Sequence, residues 1–132
     1  MIYLDTHIVV WLYSGDLHLF SEKACQLIEE NDLLVSPLVL LELQYLFEIK
    51  RITVEPTIIF DSLAESIGLE KCRASFARVI AEAMRISWTR NPFDRIITAT
   101  AMIHQAPLLT KDEVIRREYE GALKMGYVPY YS

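Results

Sequence analysis

Four acidic residues stand where a chain can build a chemical site. Asp5 closes the apolar run Met1-Ile2-Tyr3-Leu4, and Glu42 lies inside a helical stretch. Asp94 follows Asn91-Pro92-Phe93, and Asp112 comes just past Leu108-Leu109-Thr110. Carboxylates without a neighbouring nucleophile point to proton transfer or to a hard metal ion. Several at close quarters repel and take up protons, and a divalent cation removes that penalty. Oxygen donors alone suit Mg²⁺ or Mn²⁺ rather than zinc. Taken singly, Asp94 is an acid favoured at a helix N-terminus and Asp112 is a plain N-cap. They gain meaning only if they converge.

Glu42 is the misfit among them. On a helix over 37–49, at 3.6 residues per turn, Gln44, Glu48 and Arg51 form the wet side. Glu42 falls nearly opposite, among Leu38, Leu46 and Ile49. An ionised carboxylate on an apolar face is costly unless something compensates it. Two compensations stay open: an ion pair with an arginine such as Arg95, or a cation shared with other acids.

The elements that must position these groups alternate. Short apolar strands are expected at 1–4, 33–36 and 107–110, with a further short one at 69–72 and another at 127–131. Asp5-Thr6-His7 ends the first strand, and helices are expected from there to about Tyr13, from Ser21 to Asn31, over 37–49, from Pro56 to Ser66, over 74–86, from Asn91 to Gln105 and over 112–120. In the helix at 74–86, Phe76, Val79, Ile80 and Ala83 sit at core spacing. Alternation of this kind predicts a parallel sheet covered by helices on both faces. Ligands bind such sheets beyond the carboxyl ends of the strands. Asp5 and Asp112 share one crevice if the strands preceding them are neighbours.

Rival chemistries find little support. His7, His18 and His104 show no ligand spacing and read as structural, and no GxSxG surrounds a serine. The glycines at 15, 68, 121 and 126 form no phosphate-cradling loop. Asp5-Thr6-His7 resembles the start of an aspartate-nucleophile phosphatase motif, but His7 stands where that motif needs a second Asp. Lys50, Arg51, Arg90, Arg95, Lys111, Arg116 and Arg117 can build a basic rim, with Arg95 and Lys111 as candidate substrate contacts. Trp11 and Trp88 read as core aromatics.

The chain of 132 residues fits one domain, 1–132, and carries a net charge of −5. That balance argues against coating nucleic acid by charge alone, but not against meeting phosphates through bound metal. Hydrophobic residues make up 52%, which predicts apolar surface covered by a second copy, a homodimer. Cys25 and Cys72 read as free thiols of a reducing compartment. The apolar run from Ile8 to Tyr13 is short and follows Asp5, so it reads as neither signal peptide nor membrane span. A cytoplasmic location is expected.

Four motifs together resemble the PIN-domain family. They are Leu4-Asp5-Thr6-His7, Ser36-Pro37 with Glu42, Asn91-Pro92-Phe93-Asp94-Arg95-Ile96-Ile97 with Ala99-Thr100-Ala101, and Leu109-Thr110-Lys111-Asp112. The likeness is greatest to the VapC-type toxins of toxin–antitoxin pairs and spans nearly the whole chain. It implies a PIN-like three-layer α/β/α fold with a central parallel sheet of four to five short strands. It implies a Mg²⁺- or Mn²⁺-dependent endoribonuclease, leaving a 5′-phosphate and a 3′-hydroxyl. The catalytic and metal-binding set carries over to Asp5, Glu42, Asp94 and Asp112, with Thr6 and Thr110 as hydroxyls that orient them. It also implies an antitoxin partner beside the RNA substrate. There are two departures from the pattern. Asn91 stands where many relatives have Asp, and 112–116 offers Glu113 but no further Asp for a second ion. Alternative readings are a PIN-fold nuclease for RNA processing or structured DNA, and a catalytically weak interaction module.

Overall fold

Local signals set the element boundaries. Pro37, Pro56 and Pro92 each open a helix, and Ser21, Ser36, Ser75, Asn91 and Asp112 cap helices with their own side chains. Each cap occupies backbone N–H groups that the first helical turn leaves unpaired. The computed structural model describes residues 1–124. In order it forms β1 (Ile2–Leu4), α1 (Thr6–Ser14), a 3-10 turn (Leu17–Leu19), α2 (Glu22–Glu30), β2 (Leu33–Val35) and α3 (Pro37–Glu48). Then follow α4 (Pro56–Ile67), β3 (Glu70–Lys71), α5 (Phe76–Ala83), α6 (Pro92–Met102), β4 (Leu108–Thr110), α7 (Glu113–Glu118) and β5 (Ala122–Lys124). Among the described residues no helix is long and apolar enough to cross a membrane.

The strands form one parallel sheet in the order β3-β2-β1-β4-β5. β1 and β4 are buried along their whole length, as apolar strands covered on both faces must be. Helices flank the sheet in the expected three-layer arrangement. The main core joins Ile2, Leu4, Leu33, Val35, Leu108 and Leu109 to Ile8, Val39, Leu43, Ile59 and Ile97 of the helices. A smaller cluster of Val79, Ala83, Ile86 and Ala99 locks α5 onto α6. Inside the main core, the Tyr3 hydroxyl donates to Cys72 Sγ at 3.0 Å and lies 3.2 Å from His104 Nδ1. Burial pushes that phenol well above its ordinary pKa.

Three expectations need correction. The helix at 74–86 is shorter, and Phe76 is 70% exposed rather than core. It is the first helical residue after the Ser75 cap, so only Val79 and Ala83 of its set face α6. On α3 the core side is Val39 and Leu43, while Leu41, Tyr45 and Ile49 face outward. β5 was not foreseen. Leu108 N–H donates to Gly121 O at 3.0 Å, and Gly121 tolerates the close approach of Tyr119, whose hydroxyl donates to Ala106 O at 2.7 Å. A Cβ at 121 would meet the Tyr119 ring at 2.6 Å. The strand expected at 127–131 lies outside the described residues.

Gly68 ends α4 at φ 74°, donating its N–H back to Ala64 and Leu63. A Cβ there would meet nothing within 4 Å. Gly68→Ala therefore tests the backbone alone. It should destabilise the protein by about 1 kcal/mol, read as a lower urea midpoint at unchanged slope.

Candidate active site

β1 and β4 are direct neighbours, with Leu4 in register with Leu109. The chain runs from β1 outward through β2 and β3 on one side, and through β4 and β5 on the other. The direction of winding thus reverses between β1 and β4, the place where an open sheet leaves a crevice at its carboxyl edge. Asp5 and Asp112 flank that place, as the condition set on the sequence required.

Two buried threonines tie the acids together. Asp5, only 7% exposed, accepts from Thr6 N–H at 2.8 Å through Oδ1 and from Thr110 Oγ1 at 2.6 Å through Oδ2. Thr6 Oγ1 donates onward to Glu42 Oε1 at 2.5 Å. Thr110 Oγ1 accepts from Asp112 N–H at 3.0 Å, and Asp112 Oδ1 caps α7 by accepting from Ile115 N–H at 2.9 Å. A continuous path therefore runs Glu42–Thr6–Asp5–Thr110–Asp112. Each hydroxyl sets the rotamer of the carboxylate it serves.

Asp94 reaches the same place from α6. Asn91 Oδ1 accepts from the N–H groups of Phe93 and Asp94 at 2.8 and 3.2 Å, leaving the Asp94 carboxylate without a protein donor among the described residues. Burial first, and then the charges of Asp5, Asp112 and Glu42, push its pKa up to about 7. Asp5 is also raised by burial, against the pull of its Thr110 and Thr6 hydrogen bonds. Glu42 is raised by burial too, opposed by Thr6 and reinforced by Asp5. All four acids thus act on Asp94 or are Asp94. One turn along α6, on Asp94's face, the buried Thr98 hydroxyl has no hydrogen-bond partner among the described residues.

The basic residues fall differently from expectation. Arg95 is a correction: its Nε and Nη2 donate to Ala83 O at 3.2 and 3.1 Å. The guanidinium closes the C-terminal end of α5 and does not pair with Glu42. The ion pairs among the described residues are Arg85–Glu82 and Arg117–Glu118, so none of the four acids has a cationic partner. Lys111 is exposed beside the site, where its charge acts on His7. His7 itself, expected to be structural, stands in the field of Asp5 and Asp112. Burial and then Lys111 lower its pKa, against the opposite pull of those two acids. Its position beside Asp5 in the first turn of α1 was the available signal.

As placed, no three His, Cys, Asp or Glu side chains among the described residues ring a single point. The donor set still fits a divalent cation in its chemistry. It is all oxygen, it lacks a protein cation, and it holds one carboxyl near neutrality against its own charge.

The PIN-domain family model matches residues 2–120. Ribonuclease VapC22 of Mycobacterium tuberculosis is 34% identical over 116 residues, covering 86% of this chain and 88% of that protein. Among solved structures, VapBC2 from Rickettsia felis, bound to a DNA fragment from its promoter, superposes with a TM-score of 0.69 at 22% identity. It covers 94% of this chain and 98% of that one. A toxin-antitoxin complex from Klebsiella pneumoniae gives a TM-score of 0.63 at 15% identity, covering 97% of this chain and all (100%) of the other.

A carboxyl raised from 3.8 to about 7 makes folding favour its protonated form. That stabilisation is complete below pH 3.8 and is lost as pH rises through about 7. In chelator, Asp94→Asn should therefore melt several degrees above wild type at alkaline pH, with the gap closing toward acid pH. Adding Mg²⁺ at alkaline pH should raise the wild-type midpoint more than that of the variant. A variant that melts no higher than wild type in chelator at alkaline pH would show that the acids are not crowded.

Proposed function

Because the chain belongs to the PIN-domain family, we propose that it is a divalent-metal-dependent endoribonuclease and the toxin of a toxin–antitoxin pair. The observation that carries this reading is the threonine-bridged path of acids at the β1/β4 crevice, with Asp94 beside it and its carboxylate without a partner among the described residues. Asp5, Glu42 and Asp94 would hold a Mg²⁺ or Mn²⁺ ion, and Asp112 completes the site or orients the attacking water. The bound ion supplies charge to neutralise the phosphate and polarises water for attack. Thr6 and Thr110 keep Asp5 and Glu42 aimed while the phosphate enters, because each hydroxyl already occupies one carboxylate oxygen. Cleavage yields a 5′-phosphate and a 3′-hydroxyl in this scheme.

The ribonuclease name of the M. tuberculosis relative and the paired complexes of the two structural neighbours support an RNA substrate and an antitoxin partner. An arginine from such a partner suits a crevice of unpaired carboxylates. The outward apolar line Leu41, Tyr45 and Ile49 on α3, with Leu41 and Phe76 at the lips of a groove of about 300 Å³, supports a homodimer. The hydrophobic fraction of 52% adds to that support.

Purified protein should cut mixed structured RNAs with Mg²⁺ or Mn²⁺ and stop in chelator. Thr110→Val should lose roughly 10–100-fold, and Asp5→Asn and Asp94→Asn should lose more. Acid variants that fold and cut as fast as wild type would refute the mechanism. Light scattering should give twice the chain mass, and Leu41→Glu with Tyr45→Lys should halve it. A wild-type monomer at micromolar concentration would dismiss the dimer.

A further inference from the structure

Asp94 and Thr98 both lie on α6, one helical turn apart, so they share a face of that helix. Thr98 is wholly buried. Its hydroxyl is the one side-chain group among the described residues that is sealed from solvent and has no hydrogen-bond partner. Thr100, further along the same helix, shows the usual way a threonine settles there: its hydroxyl donates to Ile96 O at 2.7 Å. Thr98 makes no such bond to the carbonyl of Asp94. A buried hydroxyl left unpaired is costly, so its placement calls for an acceptor outside its own backbone.

A helical side chain leans back toward the N-terminus and covers the turn before it. Thr98 therefore lies over Asp94 and Arg95. Arg95 carries only donors, and its guanidinium is occupied by Ala83 O. Asp94 is the opposite case, a half-buried carboxylate that accepts no hydrogen bond among the described residues. The flanks of Thr98 offer nothing polar: Ile97 and Ala101 belong to the main core, and Ala99 to the cluster against α5. One free buried donor and one free acceptor thus stand on the same helix face, with Cβ atoms about 5–6 Å apart. That span is closed by a hydrogen bond between the side chains or by one water between them.

We infer that Thr98 is the positioning residue of Asp94: its hydroxyl donates to that carboxylate and fixes the orientation in which it meets a divalent cation. This rests on the metal-dependent reading above, and it names the residue that serves the acid which Thr6 and Thr110 do not reach. Thr6 already holds one oxygen of Glu42 in this manner, and Thr110 one oxygen of Asp5. Thr98 completes the set from α6. A hydroxyl that holds one carboxylate oxygen leaves the other free to face the crevice, and partners of this kind tune how tightly an acid holds metal.

The test compares Thr98→Val, which keeps the shape of the side chain without its hydroxyl, and Thr98→Ser, which keeps the hydroxyl. Mn²⁺ binding is measured by calorimetry on the full chain without RNA, so that it is read apart from cleavage. Thr98→Val should weaken Mn²⁺ binding about tenfold, and Thr98→Ser should bind as wild type does. Thr100→Val removes an equally buried hydroxyl, one bonded to the helix's own backbone, and should leave Mn²⁺ binding unchanged. Melting in chelator checks the fold, and Thr98→Ala is read in place of a Thr98→Val that does not fold. In RNA cleavage the loss should sit in kcat at limiting Mn²⁺, shrink as Mn²⁺ is raised, and leave KM for RNA unchanged. Thr98→Val binding Mn²⁺ as tightly as wild type, or Thr98→Ser weakened as much as Thr98→Val, would overturn the inference and leave the nuclease reading standing. An equal loss in Thr100→Val would assign the effect to the packing of α6 and overturn it as well. Wild type without Mn²⁺ affinity would instead strike the metal-dependent reading, and this inference with it.

Discussion

Everything at the carboxyl edge of this sheet depends on how four carboxylates are kept close without a protein cation among the described residues. Thr6 and Thr110 do most of that work. Both are fully buried, and each links two acids along the path from Glu42 to Asp112, Thr6 through its backbone N–H and its hydroxyl, Thr110 through its hydroxyl alone. Hydrogen bonds to ionised oxygens are among the stronger ones, and they favour the charged forms of Asp5 and Glu42 against burial. Asp94 receives no such bond and is left with the residual repulsion. The site is therefore not evenly strained, because one of its members carries the imbalance.

Bringing Asp94 into range is a packing problem. Ala99 and Ala101 on α6 are wholly buried, and Ile97 and Thr98 with them. Ala99 packs toward α5 and Ala101 into the main core, so small side chains on two sides let the helix approach its neighbours closely. Arg95 then fastens α6 to α5 through Ala83 O, the same helix pair that Val79 and Ala99 join by apolar contact. The arginine offered as an ion-pair partner for Glu42 instead holds the helix that presents Asp94.

Much of this was legible in the sequence where the cause is local. Proline starts, serine and asparagine caps and three-residue apolar strands follow from backbone chemistry, and β1, β2 and β4 fall within a residue of their expected bounds. Asp5 and Asp112 were legible through topology, since strand ends at a reversal of winding define a crevice. Glu42 was legible as a misfit, although its expected neighbour Ile49 is outward and the core contacts belong to Val39 and Leu43. What could not be read depends on distant chain. Arg95 has one fork and several possible carbonyls, and only the α5–α6 packing selects Ala83. β5 follows from pairing to β4 and from the Tyr119–Gly121 contact rather than from any periodicity of its own.

The charge imbalance also orders the events that the proposed function requires. An acidic crevice on a chain of net charge −5 repels RNA until a divalent cation offsets it. A cationic side chain from a protein partner satisfies the same deficit, and does so without offering the phosphate anything. Metal with RNA, on one side, and a basic partner residue, on the other, are then alternatives for one electrostatic vacancy. Each lowers the affinity for the other by the same factor, as linkage demands. Inhibition needs no movement of the fold in this scheme. It needs only a positive group that reaches Asp94, whose carboxylate accepts no hydrogen bond among the described residues.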